Sequence, residues 1–282
     1  MNTVTDPAVA AAQDARAIVY RTRGRGHGGI TRLVSPGDAG QLIKPFVFLD
    51  LFQIEPGAIQ MNLHPHSGIA TVTVVFDGAV EYLETSGHQG VLPAGGVEWM
   101  NAGGGVWHGG GIVGTETACG FQLWLALPPE DENAPAHSRY LAPQEVQQAG
   151  PARVILGSHE GAASAIATRA PINYLSVALK DGERWRYTPP AGHDVAWVAV
   201  ADGLLETAGE QLSREVAIFA DGEGALAFQA QGDTRFVLGS APRHPHPLVT
   251  GYYSVHTSQA ALEQGEAEIA RMGARLKAAG VL

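Results

Sequence analysis

The sequence predicts an all-β protein of two similar barrel or sandwich units, with one helix near its C-terminal end. Three observations carry this. Glycine and proline (36 and 17 of the 282 residues) cut the chain into short segments, many of which alternate apolar and polar residues with the period of a strand. Turn signals recur at intervals of roughly 8–12 residues, the spacing of sandwiches and barrels rather than of βαβ units. A strand–Asp-Gly–strand pattern occurs once in each half, around Asp77-Gly78 and again around Asp202-Gly203.

In chain order, Gly24 to Gly29 matches the G-x-G-x-x-G dinucleotide pattern by letter. That pattern needs a helix directly after the glycines. Ile30 to Val34 reads instead as a strand, so a dinucleotide site is rejected. Ile69 to Phe76 is rich in β-branched residues and reads as a strand; Asp77-Gly78 follows as a hairpin turn signal, then Ala79 to Leu83. Gly120 to Leu127 reads as a strand stopped by Pro128-Pro129, and five prolines between Pro128 and Pro151 mark a boundary between units. Strands resume at Ala152 to Leu156 and Ile172 to Leu179, and Ala196–Ala201, Asp202-Gly203 and Leu204–Thr207 repeat the earlier pattern. Gln259 to Ala279, with Leu262, Ile269 and Met272 at helical spacing, predicts the helix.

Bulk composition excludes several classes. Hydrophobic residues make up 45% and charged residues 16%, the balance of a chain that buries a core rather than a disordered one. The net charge of −10 and the scattered basic residues argue against nucleic acid, whose phosphates reward clustered Lys and Arg. The densest group, Arg21, Arg23 and Arg25, is short. The single cysteine, Cys119, allows no internal disulfide and alternates with Phe121 and Leu123 as a core residue does. Met1 to Arg16 lacks the basic start and long apolar run of a signal peptide, and no membrane-length apolar run is present. The expectation is a soluble, cytoplasmic protein.

The sharpest chemical signal is His64-Pro65-His66. Residues i and i+2 of a strand share a face, so two imidazoles there can share one ion. His108 follows the two strand candidates and a Pro93-Ala94-Gly95 turn, which is the ligand spacing of a cupin barrel.

At these residues the chain resembles the pirin family. The stretches HPHSGIATVTVVFDG (His64 to Gly78) and GVLPAGGVEWMNAGGGVWHGG (Gly90 to Gly110) are similar to the metal-site segments of pirins, as are KPFVFLDLF (Lys44 to Phe52) and GFQLWLAL (Gly120 to Leu127). The likeness is close from about Ile30 to Tyr140 and loose beyond. It implies two cupin (double-stranded β-helix, jelly-roll) barrels: residues 15–140 with the metal site, and residues 150–282, metal-free, with the C-terminal helix. It also implies a mononuclear divalent metal, Fe(II) first, held by His64, His66 and His108; ligand type alone admits Zn, Ni, Mn or Cu as well. The family's ligand glutamate has no counterpart. Gly110 stands at its position, and Ala70 stands where many cupins place theirs. Glu98 and Glu116 are the nearest candidates to supply the missing carboxylate, with Glu98 the tentative base. Trp107, Gly110, Gln122 and Trp124 are the candidate pocket residues, while Trp99, Trp107 and Trp124 are expected to supply barrel core with one of them lining the pocket. His193 is the nearest second-half counterpart of His66. The second HPH, His244 to His246, with His256 after it, is read as a structural linker to the tail.

Two functions follow from the resemblance. One is a quercetinase-like, metal-dependent dioxygenase acting on a flavonol or related small aromatic, an activity against which the missing glutamate counts. The other is a regulatory protein, non-catalytic or redox-sensing, acting through protein partners. A site that keeps an anionic group near the histidines favours the first.

Overall fold

The computed structural model describes residues 16–58 and 60–282, so the N-terminal stretch read for a signal peptide lies almost wholly outside the described residues. The first described strand, β1 (Ile18–Thr22), joins the second barrel. The first barrel is two facing antiparallel sheets. One contains β2 (Arg25–His27), β3 (Ile30–Val34) and β4 (Phe46–Ile54), with β3 and β4 joined through a short helix α1 (Gly40–Ile43). It continues with β6 (Ile69–Asp77), β9 (Val97–Asn101), β11 (Ala118–Ala126) and β12 (His137–Leu141), in the order β12-β9-β6-β11-β4-β3-β2. The other has the order β5-β10-β7-β8, from β5 (Gln60–His66), β7 (Ala79–Glu84), β8 (Gln89–Pro93) and β10 (Val106–Val113).

The second barrel is a nine-stranded sheet. Its strands are β13 (Gln148–Ala149), β14 (Ala152–Leu156), β17 (Asn173–Leu179), β18 (Arg184–Tyr187), β19 (Val195–Thr207), β20 (Glu210–Leu212), β21 (Val216–Phe219) and β22 (Leu226–Ala241), with β1 added at the edge beyond β21. A small hairpin of β15 (Ser158–His159) and β16 (Ala162–Ala163) interrupts it. The tail holds β23 (Val249–Thr250), β24 (Val255–His256) and the helix α2 (Gln259–Ala278), close to its predicted span. Ser258 caps α2 by accepting from the Ala261 N–H, and Leu262 and Ile269 face inward with Gly265 and Gly273.

The Asp-Gly signals do not make hairpins. β6 and β7 lie in different sheets, and the chain passes from one to the other at Gly78, in the left-handed region at φ +72°. In the second half, Asp202-Gly203 lies within the single strand β19 as a bulged bend against β22, with Gly203 at φ +80°. Both are corners where a jelly-roll strand turns between faces, and a corner needs a glycine for the same reason as a hairpin. The two corners meet: the Arg235 guanidinium donates to Asp77 from Nη1 (2.9 Å) and to Asp202 from Nε (2.7 Å).

A single core cluster runs from Leu49, Val72 and Phe121 of the first barrel to Tyr174, Trp197 and Val237 of the second, with Phe46 edge-on to Trp197 at 5.3 Å. Trp99 and Cys119 are buried in it, and burial pushes the Cys119 thiol up to about 11, as expected of a core cysteine.

The two ends of the described chain exchange barrels. β1 pairs with β21 of the second barrel, and Arg21 there bonds Glu215. This differs from the sequence expectation, which placed everything from residue 15 in the first unit. In the other direction the tail lies on the first barrel, with α2 against β10 and β5, and not on the second unit to which the sequence assigned it. The partners in these contacts stand far apart in the chain, 194 residues for Arg21 and Glu215 and 162 for Trp107 and Ile269, which is why no local pattern announced either crossing.

Candidate metal centre

β5 and β10 pair antiparallel with His108 opposite His64. His66 lies two residues along β5, so the period-2 rule puts it on the same face as His64. The nitrogen atoms that the three rings offer lie within 4.8 Å of one another. Ring centroids are 4.4 Å apart for His64–His108 and 5.0 Å for both pairs with His66. His66 and His108 are buried and His64 is half-buried.

The tautomers follow from the partners. His64 Nδ1 lies 2.9 Å from the Asn62 carbonyl, and His66 Nδ1 lies 2.9 Å from the Tyr253 carbonyl. A carbonyl only accepts, so each Nδ1 carries the proton and each Nε2 keeps its lone pair. His108 Nε2 is buried with no hydrogen-bond partner. Burial lowers all three pKa values, His66 to about 3 and His108 well below the usual range. The rings are therefore neutral near pH 7, the form that binds metal. An orphaned buried nitrogen beside two neutral imidazoles with free lone pairs fits a metal ion.

The cavity against His64 and His108 is walled by Ile30, Phe52, Ile54, Val80 and Ile112, with polar groups from Asp50, Thr73, Glu98 and Gln122. Glu98, on β9, is buried; its Oε1 stands 4.0 Å from His108 Nδ1, and the Thr73 hydroxyl donates to its Oε2. It is absent from the convergent ligand group, so it stands behind His108 rather than among the ligands. Burial, offset in part by the Thr73 bond and reinforced by the nearby charge of Glu84, pushes its carboxyl up to about 7.

Of the expected pocket residues, the structure brings in Gln122. Trp107 points outward, its Nε1 donating to the Ile269 carbonyl of α2 at 2.9 Å. Trp124 is not a cavity wall: it stacks on Phe48 at 4.0 Å and meets the His66 ring edge-on at 4.8 Å. Gly110 lies across a register shift from His108, and a Cβ there would meet the Glu81 carbonyl oxygen at 1.9 Å. It lines an outer groove with Leu83 and Val91 instead. Glu116 is exposed in a bend between β10 and β11, away from the rings. In the second barrel, His193 Nδ1 is bonded to Ser240 Oγ at 2.8 Å. His244 is buried in the linker, where its N–H donates to the Lys44 carbonyl.

Sequence reasoning missed Asp50, which the Arg32 guanidinium holds in a two-point bond, and Glu84, which accepts from Ser138 Oγ (2.7 Å) and Tyr140 OH (2.9 Å). Asp50 was legible in principle, as a carboxylate in the otherwise apolar run from Phe46 to Phe52 of β4. Tyr253 carried no local signal at all.

Two fused jelly-roll barrels, one with a buried three-histidine cluster, define a bicupin. Within that class, a pirin family model matches residues 29–125, and a model described as a quercetinase C-terminal cupin domain matches residues 155–238. A Pseudomonas aeruginosa protein provisionally named quercetin 2,3-dioxygenase is 32% identical over 254 residues, 83% of this chain and 88% of that one. The chain belongs to the pirin family. Among solved structures, a quercetin 2,3-dioxygenase from Acinetobacter baumannii superposes with a TM-score of 0.81 at 24% identity, over 95% of this chain and all of that one. The bacterial pirin YhhW of Escherichia coli, in complex with nickel(II), gives 0.63 at 21%, covering 81% and 98%. No helix among the described residues is long and apolar enough to cross a membrane.

Proposed function

We propose that this chain is a metal-dependent, quercetinase-like dioxygenase for a flavonol or related small aromatic, with His64, His66 and His108 holding one divalent transition ion, Fe(II) first. The single observation that carries the reading is the buried, unpartnered Nε2 of His108 beside two imidazoles whose Nδ1 protons are already committed. The name of the Pseudomonas relative supports the reaction class, and the nickel bound by YhhW supports a transition metal.

When bound, the ion supplies Lewis acidity that lowers the pKa of an enol or catechol hydroxyl. The chain supplies the rest. Ile30, Phe52, Ile54, Val80 and Ile112 give aromatic rings an apolar wall and exclude water. Gln122 offers an amide to orient a substrate oxygen. Glu98, near neutrality in its protonation, takes the hydroxyl proton at its carboxylate, the task of the glutamate that is absent at Gly110. Its contact with His108 also fits a carboxylate that orients a ligand histidine.

The test is metal content of untagged protein by mass spectrometry, with a His64→Ala/His66→Ala control, followed by flavonol turnover under oxygen. A stoichiometric transition metal lost in the control, with turnover that falls in Glu98→Gln, supports the reading. Protein that holds no metal and takes up none from Fe(II), Ni(II) or Zn(II) would overturn it in favour of a partner-binding role.

A further inference from the structure

The tail touches the first barrel at the residues that flank the ligand histidines. Beside His66, the Ser67 hydroxyl donates to Ser254 Oγ at 2.9 Å, and the Val255 N–H donates to the Ser67 carbonyl at 3.3 Å. Beside His108, Trp107 is held by Ile269 and packed on Gly273. The approach is as close as backbone allows: a Cβ on Gly68 would meet the Val255 carbonyl oxygen at 2.1 Å, and one on Gly265 of α2 would meet Ser67 Oγ and His256 Nε2 at 2.6 Å. A glycine inside a helix is destabilising against alanine, so its presence at Gly265 has a packing reason.

Behind this contact lies a buried polar cluster that the proposed chemistry does not use. His256 Nε2 is 3.0 Å from Ser67 Oγ, and its Nδ1 is 3.3 Å from Glu132 Oε2. Glu132 accepts from the Thr257 N–H (2.6 Å) and hydroxyl (2.7 Å). Ser67, Glu132, Ser254 and His256 are each 3% exposed or less, so the cluster has no access for a substrate, and the resemblance to a hydrolytic triad is one of composition only. Its geometric output is the position of one intervening group: the Tyr253 carbonyl, which takes the His66 Nδ1–H from 187 residues away.

We propose that residues 249–257 are a positioning element of the metal centre. The Tyr253 carbonyl, anchored by the Ser67, Ser254, His256 and Glu132 cluster, fixes the His66 ring as the Nδ1–H tautomer with its Nε2 lone pair directed to the ligand group. The assignment rests on the three histidines being the metal ligands, and it makes His256 and Glu132 positioning residues that act through Tyr253. A tail that served only as an adhesive would need no acceptor at His66 Nδ1.

The experiment compares wild type with His256→Ala. The ring nitrogens of metal-free, 15N-histidine-labelled protein are read by long-range proton–nitrogen NMR at pH 7.5, and Ni(II) affinity is read by competition with a chromogenic chelator. Wild type should show His66 protonated at Nδ1 alone. In the variant that signal should give way to a mixture with Nε2–H, and Ni(II) affinity should fall about tenfold or more, the usual effect of losing an outer partner. Ser254→Ala, which removes one hydroxyl and leaves no buried charge unpaired, reads the same two signals if His256→Ala does not fold. A folded variant with the wild-type tautomer and affinity would overturn the proposal. Wild type that binds no Ni(II) would overturn the metal reading instead, and the tautomer would still decide the positioning role.

Discussion

The Glu98 carboxylate stands 4.0 Å from Nδ1 of His108, while Nε2 of the same ring is buried without a partner. The site therefore keeps a carboxyl group near its histidines, although not at the position where the family carries it.

Glu98→Gln should stabilise the metal-free protein at alkaline pH while lowering turnover. Burial raises the folded pKa of Glu98 from the ordinary 4.5 to about 7, so the folded state holds the proton more tightly. The stability linked to that proton is complete below about 4.5 and is lost as pH rises through about 7. Glutamine is neutral throughout and still accepts from Thr73. Melting temperatures at pH 6 and pH 8.5 should show a larger gain at the higher pH; an equal gain at both would mean that Glu98 titrates normally.

Acid should destabilise the metal-free protein through its histidines. Burial, and then the charge of a neighbouring imidazole, lowers His66 from the ordinary 6.5 to about 3 and holds His108 well below the ordinary range. The unfolded chain binds these protons first, so stability is intact above about 6.5 and falls as pH drops below it, by up to about 1.4 kcal/mol per pH unit for each histidine that remains neutral. Urea midpoints between pH 7 and pH 5 measure the slope. His66→Gln should make it shallower, and an unchanged slope would assign the effect elsewhere.

Restoring the family glutamate should fail. A Cβ at Gly110 lies 1.9 Å from the Glu81 carbonyl oxygen, and that atom is backbone of the neighbouring strand, not the end of a movable side chain. Gly110→Glu should cost at least about 1–3 kcal/mol of stability by overpacking and bring no gain in metal affinity. Chemical denaturation together with metal titration checks both, and tighter metal binding in a stable variant would show that β10 rearranges.

His108→Ala should abolish metal binding and leave the fold in place, because it removes one ring from a cavity wall and not from the shared core. Metal content and circular dichroism of the purified variant test this. Full metal retention would break the ligand set.

Much of this was legible in the sequence because it is local. The β-branched run of β6, the two histidines on one face of β5 and the spacing of Leu262 and Ile269 in α2 each follow from periodicity over a few residues. Even one error was avoidable: Trp107 adjoins inward-facing His108 in β10, so strand alternation already turns it outward. The misplacement of Gly110 was not avoidable, since the register shift after His108 arises in the pairing of β10 with β5. Likewise Asp202-Gly203 reads as a hairpin turn, and only the sixteen-residue β22 beside it makes β19 one bent strand. Glu98 was found as a carboxylate near the motif, but its place behind His108 depends on how two sheets face each other.

The exchanged ends bear on how the molecule is made. Synthesis runs from the N-terminus, so every strand of the histidine-bearing barrel leaves the ribosome before β23, β24 and α2 exist. Until the Tyr253 carbonyl arrives, His66 Nδ1 lacks its acceptor. Meanwhile β1, already exposed, waits for β21 about two hundred residues later. A nascent chain thus carries the three-histidine cluster with His66 Nδ1 unpartnered until the second barrel has been made. If the Tyr253 carbonyl positions His66 as proposed, chains that stop before β23 lack the acceptor at His66 Nδ1 and should hold metal more weakly than chains that include it.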